Sequence, residues 1–512
     1  MSDWTDGYVT DIGYTFDYFQ ELNPIRSKMA FLVAGFVPPS EGGVHCELGF
    51  GQGVSTNIHA AASNSNWYGN DFNPAQAGFA KELAAVSEAN AYLTDESFIE
   101  FCTRTDLPDF DSIGLHGVWS WINDENRTVI VDFIKRKLKV GGCLYISYNT
   151  QPGWAAMAPV RDLLKEQSDL MGIAGVGMSK RVDGALQFAD KLMATNPAFL
   201  KANPLILEKL KKLKEHNRNY LAHEYFNRDW QPMPFSKMLQ WLKPAKLNFA
   251  CSANYLSHVS DLNLTPEQAT FLQDITDPMF QETVRDFIVN QQFRKDYWVK
   301  GARKLNILDQ ELAYREQKVM LVVQRESASL KVSGVLGEAS VQEAVYNPIL
   351  NMLSDYKPRT LGHIEKGLKG QGINFPQIVQ AVLVLSSNST LLAVQDEITI
   401  NKAKKYTDKL NRWLINKSRS SGEVGYLASP VTGGGISVGR FQQLFLLAIS
   451  RGHKQPSEWA NYAWAVIDAQ GGKFIKDGKT LHSAEENIAE LTAQAQTFAD
   501  KQLPILKALQ IA

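Results

Sequence analysis

The stretch Glu47-Leu48-Gly49-Phe50-Gly51-Gln52-Gly53 closes an apolar segment and opens a helix-like one, Val54-Ser55-Thr56-Asn57-Ile58-His59. Glycines at 49, 51 and 53 let the backbone turn sharply and come close to a ligand, and the first amides of the following helix attract an anionic group. Asp71 stands about 20 residues further on, at the end of Trp67-Tyr68-Gly69-Asn70, where a carboxylate accepts hydrogen bonds from ribose hydroxyls. This is the layout of a nucleotide-type cofactor loop. A dinucleotide fingerprint, G-x-G-x-x-G, requires glycine at position 54; Val54 stands there, and the acidic Glu47 fits poorly beside a pyrophosphate. Both departures favour S-adenosylmethionine, whose sulfonium is cationic and whose one anion is a carboxylate. A glycine-rich strand-to-helix turn with no ligand is the plain alternative.

Working outward, residues 28 to 150 alternate strand and helix patterns, which predicts an α/β fold with a Rossmann-like doubly wound parallel sheet. Strands are expected at Gly43 to Leu48, Trp67 to Asn70, Ala91 to Leu93, Asp111 to Val118 and Cys143 to Tyr148. Between them run helices from Val54 to Ser63, from Pro74 behind the cap Asn73 to about Glu88, from Ser97 to Thr103, and from Asp124 to Lys139, the last stopped by Gly141-Gly142. Ligands bind such sheets beyond the carboxyl ends of the strands. From Trp154 to Lys243 the pattern is helical, with breaks at Pro197, Pro204 and Pro232-Met233-Pro234, and it reads as a lid over that crevice. Lys246 to Cys251 reads as a late strand returning to the sheet, and two helices, from Thr265 and Asp277, are expected to carry the chain to about 305. Residues 343 to 396 show three helix-like segments and one wing strand, Thr390 to Val394, a winged-helix-like rhythm. The resulting division is 1–160 for the cofactor domain, 161–310 for a helical regulatory or lid region with a sheet-completing strand near 246–252, 311–400 for the winged-helix-like domain and 401–512 for a helical C-terminal domain.

Composition excludes several function classes. The 512 residues carry 53 basic and 54 acidic side chains, so no global field draws the chain to nucleic acid or a membrane surface. No run of 18 apolar residues occurs, and Met1-Ser2-Asp3-Trp4-Thr5-Asp6 lacks the basic and apolar regions of a secretory leader, so a cytoplasmic protein with no membrane insertion is expected. Cys46, Cys102, Cys143 and Cys251 lie far apart and read as reduced core residues; no metal site is expected.

The strand ends carry the remaining candidates. Asp95 is placed to accept the adenine amino group, with the amides of Ser97 and Phe98 facing the ring edge, or simply to cap a helix. Leu115-His116-Gly117-Val118-Trp119-Ser120-Trp121 puts a histidine at the crevice mouth, and on a strand Trp119 and Trp121 share a face that can line a slot for a cation. Tyr148 and Asn149, followed by Trp154, are placed to wall an acceptor and orient an attacking amine. His223-Glu224-Tyr225-Phe226-Asn227 begins like a zinc-protease motif but ends in asparagine, so His216, Tyr220, His223 and Glu224, on one helical face, are assigned to a lid or interdomain contact rather than to a metal. Ser429 to Gly435 resembles a phosphate loop without the G-K-[ST] ending and is read as a flexible connection.

Taken together, the segments Leu115 to Trp121, Ser147 to Trp154, Leu221 to Asn227, Arg285 to Arg294 and Leu427 to Gly435 resemble those of bacterial class I S-adenosylmethionine-dependent methyltransferases that carry a methyltransferase regulatory domain, a family that includes outer-membrane-protein lysine methyltransferases. The resemblance spans nearly the whole chain. It implies a cofactor site on Glu47, Gly49, Gly51, Asp71, Asp95, Ser97 and His116, with Phe50, Gly53, Phe72, Glu96 and Phe98 beside them, and Phe50 stands where relatives often have a small residue or cysteine. On the residues' own chemistry, catalytic-side roles are expected among Asn149, Tyr148, Trp119, Trp121 and Trp154; the expected partner is a protein substrate presenting lysine side chains, and no nucleic-acid partner is expected. A homodimer is included among the partner expectations. Two other readings stay open on the sequence: methylation of a small molecule or glycan, and a cofactor-sensing regulator whose winged helix binds DNA.

Overall fold

The computed structural model describes residues 5, 7–10, 13–172, 175–476 and 479–512. Most of the segment read for a targeting signal, Met1 to Asp6, lies outside these residues; Thr5 alone is described. A seven-stranded sheet organises the first 300 residues. Its strands are β1 (Val44–Leu48), β2 (Asn66–Asn70), β3 (Ala91–Thr94), β4 (Phe110–Leu115), β5 (Leu138–Asn149), β6 (Leu247–Ser252) and β7 (Phe293–Lys300), in the spatial order β3-β2-β1-β4-β5-β7-β6. The first five pair in parallel, and β7 runs antiparallel to both β5 and β6. The chain order reverses at β1/β4, so the switch point lies beside the glycine loop.

Three local readings are corrected. The helix expected to continue toward residue 305 instead ends at Ile288, and Phe293 to Lys300 is a strand pairing with β5 from Asn149↔Phe293 to Cys143↔Val299. Its charged start hid it: Arg294 and Asp296 are both buried, and they neutralise each other inside the protein. The pair Gly141-Gly142 does not stop a helix. The helix closes at Lys137, and β5 runs through both glycines, with Gly141 at φ +84° in an irregular stretch where the β4–β5 register shifts. Strand β4 stops at Leu115; Gly117, at φ +63°, turns the chain, and Trp119–Trp121 is a 3-10 turn, so the two tryptophans do not share a strand face.

Among the described residues, five helices between Ala158 and Tyr225 close a separate core around Leu164, Val182, Leu186 and Leu210, while the helix Phe235–Leu242 packs Phe235, Met238 and Leu242 into the core of the sheet. Beyond residue 300, helices Glu343–Met352, Leu361–Gly367 and Phe375–Ser387 pack with a small antiparallel sheet, in which Lys318–Leu321 lies between Arg359–Thr360 and Leu391–Ala393. The C-terminal part is helical, with a hairpin of Tyr426–Ser429 and Gly434–Ser437. The loop read as a flexible connection is the turn of this hairpin and is largely buried: Thr432 and Gly433 offer carbonyls to Asn23 Nδ2, each at 3.3 Å, and Gly433 packs against Ile25 and Gln395. Among the described residues no helix is long and apolar enough to cross a membrane, and all four cysteines are free and buried.

Candidate functional site

The glycine loop is held from three sides. Gly53 starts the helix Val54–Ala62 at φ +66°, and a Cβ there would lie 2.5 Å from the Ala80 methyl, so strain and space both require glycine. Every residue of that helix is buried, because the C-terminal hairpin and the helix Glu397–Lys417 cover its outer side. Its polar residues act as ties: Ser55 Oγ accepts from Phe19 N–H at 2.8 Å, Thr56 Oγ1 donates to Glu47, and Asn57 Nδ2 donates to the carbonyls of Gly53 and Ala80 at 2.9 and 3.0 Å. Glu47 is thus tied to the helix and is not among the residues lining the cavity described next. Burial pushes its carboxyl up to about 8, against the lowering effect of the Thr56 hydrogen bond.

Beyond the carboxyl ends of β1 to β4 opens a cavity of about 410 Å³. It brings together Gly49, Gly51, Asp71, Phe72, Ser97, Phe98, His116 and Trp121 of the sequence-expected residues. Asp71 accepts from the Gly51 amide at 2.8 Å through one oxygen and from the Asn73 amide at 3.0 Å through the other. Burial nevertheless raises its carboxyl to about 7, the two amides pulling the other way. Asn70 anchors the adjoining loop by donating to the Glu96 carbonyl at 2.9 Å, while its buried Oδ1 has no hydrogen-bond partner among the described residues. His116 stacks on Phe19 with centroids 3.6 Å apart and shares a 2.8 Å hydrogen bond with the Tyr145 hydroxyl; burial holds it neutral, its pKa lowered to about 3.

The other expected residues sit elsewhere. Phe50 packs with Ala77, Ala80 and Leu93 beneath the loop. Asp95 is exposed and pairs with Lys81 at 2.6 Å, while Glu96 takes Thr94 Oγ1 at 2.8 Å and Arg104 at 3.1 Å. The Ser97 amide donates to Glu100 at 2.8 Å within a capping box, although Ser97 itself lines the cavity. Trp119 is fully buried, with its Nε1 3.4 Å from the Met233 sulfur. Tyr148 is fully buried and donates to Asp296 at 2.9 Å; Asn149 accepts from Trp154 Nε1 at 3.0 Å, and Trp154 packs edge-on against Trp230 at 4.9 Å. These residues build the closed half of the sheet edge.

The cavity wall also contains residues that sequence reasoning passed over: Thr5, Tyr8 and Tyr14 from the N-terminal segment, Gln76, and Ile122, Glu125, Asn126 and Asp229. The signal available was the aromatic density ahead of β1, in Tyr8, Tyr14, Phe16, Tyr18 and Phe19. The segment is fastened to the helical mass above it: Val9 N–H donates to Asn227 Oδ1 at 2.9 Å and Arg228 N–H to the Gly7 carbonyl at 3.0 Å. The rings of Tyr8 and Tyr14 lie 5.4 and 5.1 Å from that of His223. The helix expected as a lid contact, Arg218–Tyr225, thus rests on the aromatic cover of the cavity.

Residues 217–300 match the family described as "Predicted methyltransferase regulatory domain". Over its whole length the chain is similar to the Synechocystis protein sll1526, with 39% identity over 514 residues and 99% of both chains covered. The Rickettsia prowazekii protein RP789 is 28% identical over 295 residues, which span 56% of this chain and 51% of that protein. Among solved structures, PKMT2 from Rickettsia typhi in complex with AdoHcy superposes with a TM-score of 0.70 at 16% identity, over 98% of this chain and 100% of that one.

Proposed function

Because the chain belongs, with the Synechocystis protein, to the family of class I S-adenosylmethionine-dependent methyltransferases that carry a methyltransferase regulatory domain, we propose that it transfers methyl groups from S-adenosylmethionine to lysine side chains of a protein. The observation that carries this reading is the cavity's charge. Among the described residues its charged lining side chains are Asp71, Glu125 and Asp229, with no lysine or arginine, and Tyr8, Tyr14, Phe72, Phe98 and Trp121 supply aromatic surface. A carboxylate and aromatic lining suits a sulfonium and an incoming amine, and opposes a nucleotide phosphate.

The residues present fit the cofactor. Gly49 and Gly51 leave the loop backbone bare toward the cavity, and the Asp71 carboxylate keeps lone pairs for ribose hydroxyls. S-adenosylmethionine supplies an electrophilic methyl on sulfur. The chain supplies the rest: Asp71 orients the ribose, Phe98 and Val118 flank the loop, and Tyr8, Tyr14 and Trp121 keep water from the reacting centre. Holding two reactants in line is worth roughly 7 to 11 kcal/mol over free encounter, so alignment supplies much of the catalysis. The PKMT2 neighbour, solved with AdoHcy, supports both the cofactor and a protein acceptor. Incubating the full chain with radiolabelled S-adenosylmethionine and a bacterial lysate tests the proposal: label in protein, located on lysine after digestion, is expected, and label confined to small molecules or glycans refutes it.

A further inference from the structure

Beside the ion pairs of Arg294 lies a chamber of about 280 Å³ in which basic side chains outnumber acidic ones. The helices Pro24–Val33 and Pro278–Ile288, the end of β6 and the start of β7 contribute to its wall, and its charged lining residues are Arg26, Arg285, Arg294, Lys295, Glu21 and Asp296. Both carboxylates are already taken, Glu21 by Lys295 at 2.7 Å and Asp296 by Arg294 at 2.9 Å. Arg294 also holds Glu282 and Asp286, so the helix that carries Arg285 gives these carboxylates to another cation. Arg26 and Arg285 are left with no carboxylate partner among the described residues. Arg26 Nη1 donates to the Ser386 carbonyl at 3.3 Å, with its guanidinium 4.0 Å from the centre of the Tyr255 ring, and Arg285 Nη2 donates to the Ser257 carbonyl at 2.9 Å. Arg26 is only 8% exposed, and taking a guanidinium that far out of water without an anion is costly. Two such cations lining one chamber also repel each other, and an oxyanion between them offsets both effects through charge-assisted hydrogen bonds.

A second chamber, of about 510 Å³, supplies room for the rest of a ligand. It shares Gln20, Glu21, Arg26 and Lys295 with the first, and beyond them Ile25, Met29, Val319, Val382 and Leu391 give its wall an apolar part. Lys318 adds a cation there, again with no carboxylate partner among the described residues. Neither chamber shares a lining residue with the cofactor cavity. Phe19, on the wall of the larger chamber, stacks on His116 of the cofactor cavity, and this ring pair separates the two spaces. They also differ in sign: carboxylates line the cofactor cavity, whereas arginines without carboxylates line this one, so the two select ligands of opposite charge.

We propose that Arg26 and Arg285 form a second binding site, separate from that of the cofactor, for a small organic anion whose carboxylate or phosphate ester lies between the two guanidinium groups and whose apolar body extends into the larger chamber. The probes 1-naphthyl phosphate and 1-naphthoate carry the two anionic groups on one apolar body, and 1-naphthylmethylammonium puts a cation on it. Each is titrated calorimetrically into the full chain, with and without S-adenosylhomocysteine. One molecule of at least one anion should bind per chain, roughly tenfold tighter than the ammonium and without displacement by S-adenosylhomocysteine, and the tighter anion identifies the group recognised. Arg26→Gln and Arg285→Gln should each weaken that anion by roughly tenfold, whereas Arg285→Lys, which keeps the charge but not the fork, should stay within roughly threefold of the wild type. Melting temperature tells a ligand site from a structural arginine: the saturating anion should raise it in the wild type and in Arg285→Lys, and much less in Arg285→Gln. Absence of binding by both anions, equal affinity for the ammonium, displacement by S-adenosylhomocysteine, or undiminished binding in both glutamine variants overturns the proposal. A loss in Arg285→Lys as large as in Arg285→Gln makes the arginine structural and overturns it too. No methyl transfer and no lysine acceptor enter these titrations, so their outcome is independent of the lysate experiment.

Discussion

The two halves of the sheet's carboxyl edge carry similar residues to opposite ends. Beyond β1 to β4, polar and aromatic side chains face an open cavity of about 410 Å³, and Asn70 Oδ1 is left without a partner. Beyond β5 and β7, the same types of side chain are closed on one another. Arg294 is bound at 2.6 to 2.9 Å by Asp286, Glu282 and Asp296, and Asp296 takes the Tyr148 hydroxyl. Thr150 donates to the Met233 carbonyl at 2.6 Å, and Asn149 Oδ1 accepts from Trp154 Nε1, although Asn149 Nδ2 and Asp286 Oδ2 have no partner among the described residues. The two halves differ less in how many polar atoms go unpaired than in where they stand: on one side an ion-pair network ties the side chains together, and on the other polar and aromatic side chains line a cavity.

This contrast can be broken most severely at Arg294. Replacing it with methionine leaves Asp286 and Asp296 buried without their cation, and should cost about 3 to 5 kcal/mol in unfolding free energy by denaturant titration. Affinity for S-adenosylhomocysteine, measured where the variant stays folded, should not change. On the open side the pattern reverses. Asp71→Ala should weaken S-adenosylhomocysteine by about 2 to 3 kcal/mol in calorimetry, a charged hydrogen-bond acceptor being lost. Next in size is Tyr148→Phe, which removes one buried hydrogen bond and should lower stability by about 1 to 2 kcal/mol with no change in cofactor affinity. The smallest effect is expected for Asp95→Ala, an exposed partner of Lys81, which should move stability by no more than about 0.5 kcal/mol.

The open half also carries a pH signature. Asp71 titrates near 7 in the folded chain against an ordinary 3.8, so between those values the folded chain keeps a proton that the unfolded chain has lost. Its contribution to stability is therefore fully present below the unfolded value and is lost as pH rises toward 7. Binding runs the other way, because ribose hydroxyls donate to the ionised form: cofactor affinity should rise by roughly tenfold between pH 6 and 8. Asp71→Asn should flatten that dependence; a slope that persists in the variant would assign it to another group.

The parallel core and the glycine loop at its carboxyl edge were legible because each step has a local cause. Glycines at 49, 51 and 53 announce the loop, Asn73-Pro74 caps its helix through two backbone amides, and Asp71 ends β2. Strand β7 was not legible, since Arg294 and Asp296 read as surface residues until their partners from the helix Pro278–Ile288 and from β5 are brought to them. The tryptophan wall failed for a related reason: Gly117 turns the chain after β4, which sends Trp119 under the sheet and leaves only Trp121 in the cavity. Tyr8 and Tyr14 reach the site from a segment with no periodicity of its own, and only the long-range ties to Asn227 and Arg228 place them.

The most direct measurement is a calorimetric titration of S-adenosylhomocysteine into the wild-type chain and into Asp71→Ala and Tyr148→Phe, side by side. The expected result is one molecule bound per chain with equal affinity in wild type and Tyr148→Phe, and a loss of roughly 30- to 150-fold in Asp71→Ala. Wild-type binding by Asp71→Ala together with lost binding by Tyr148→Phe would put the ligand on the closed half and contradict the account.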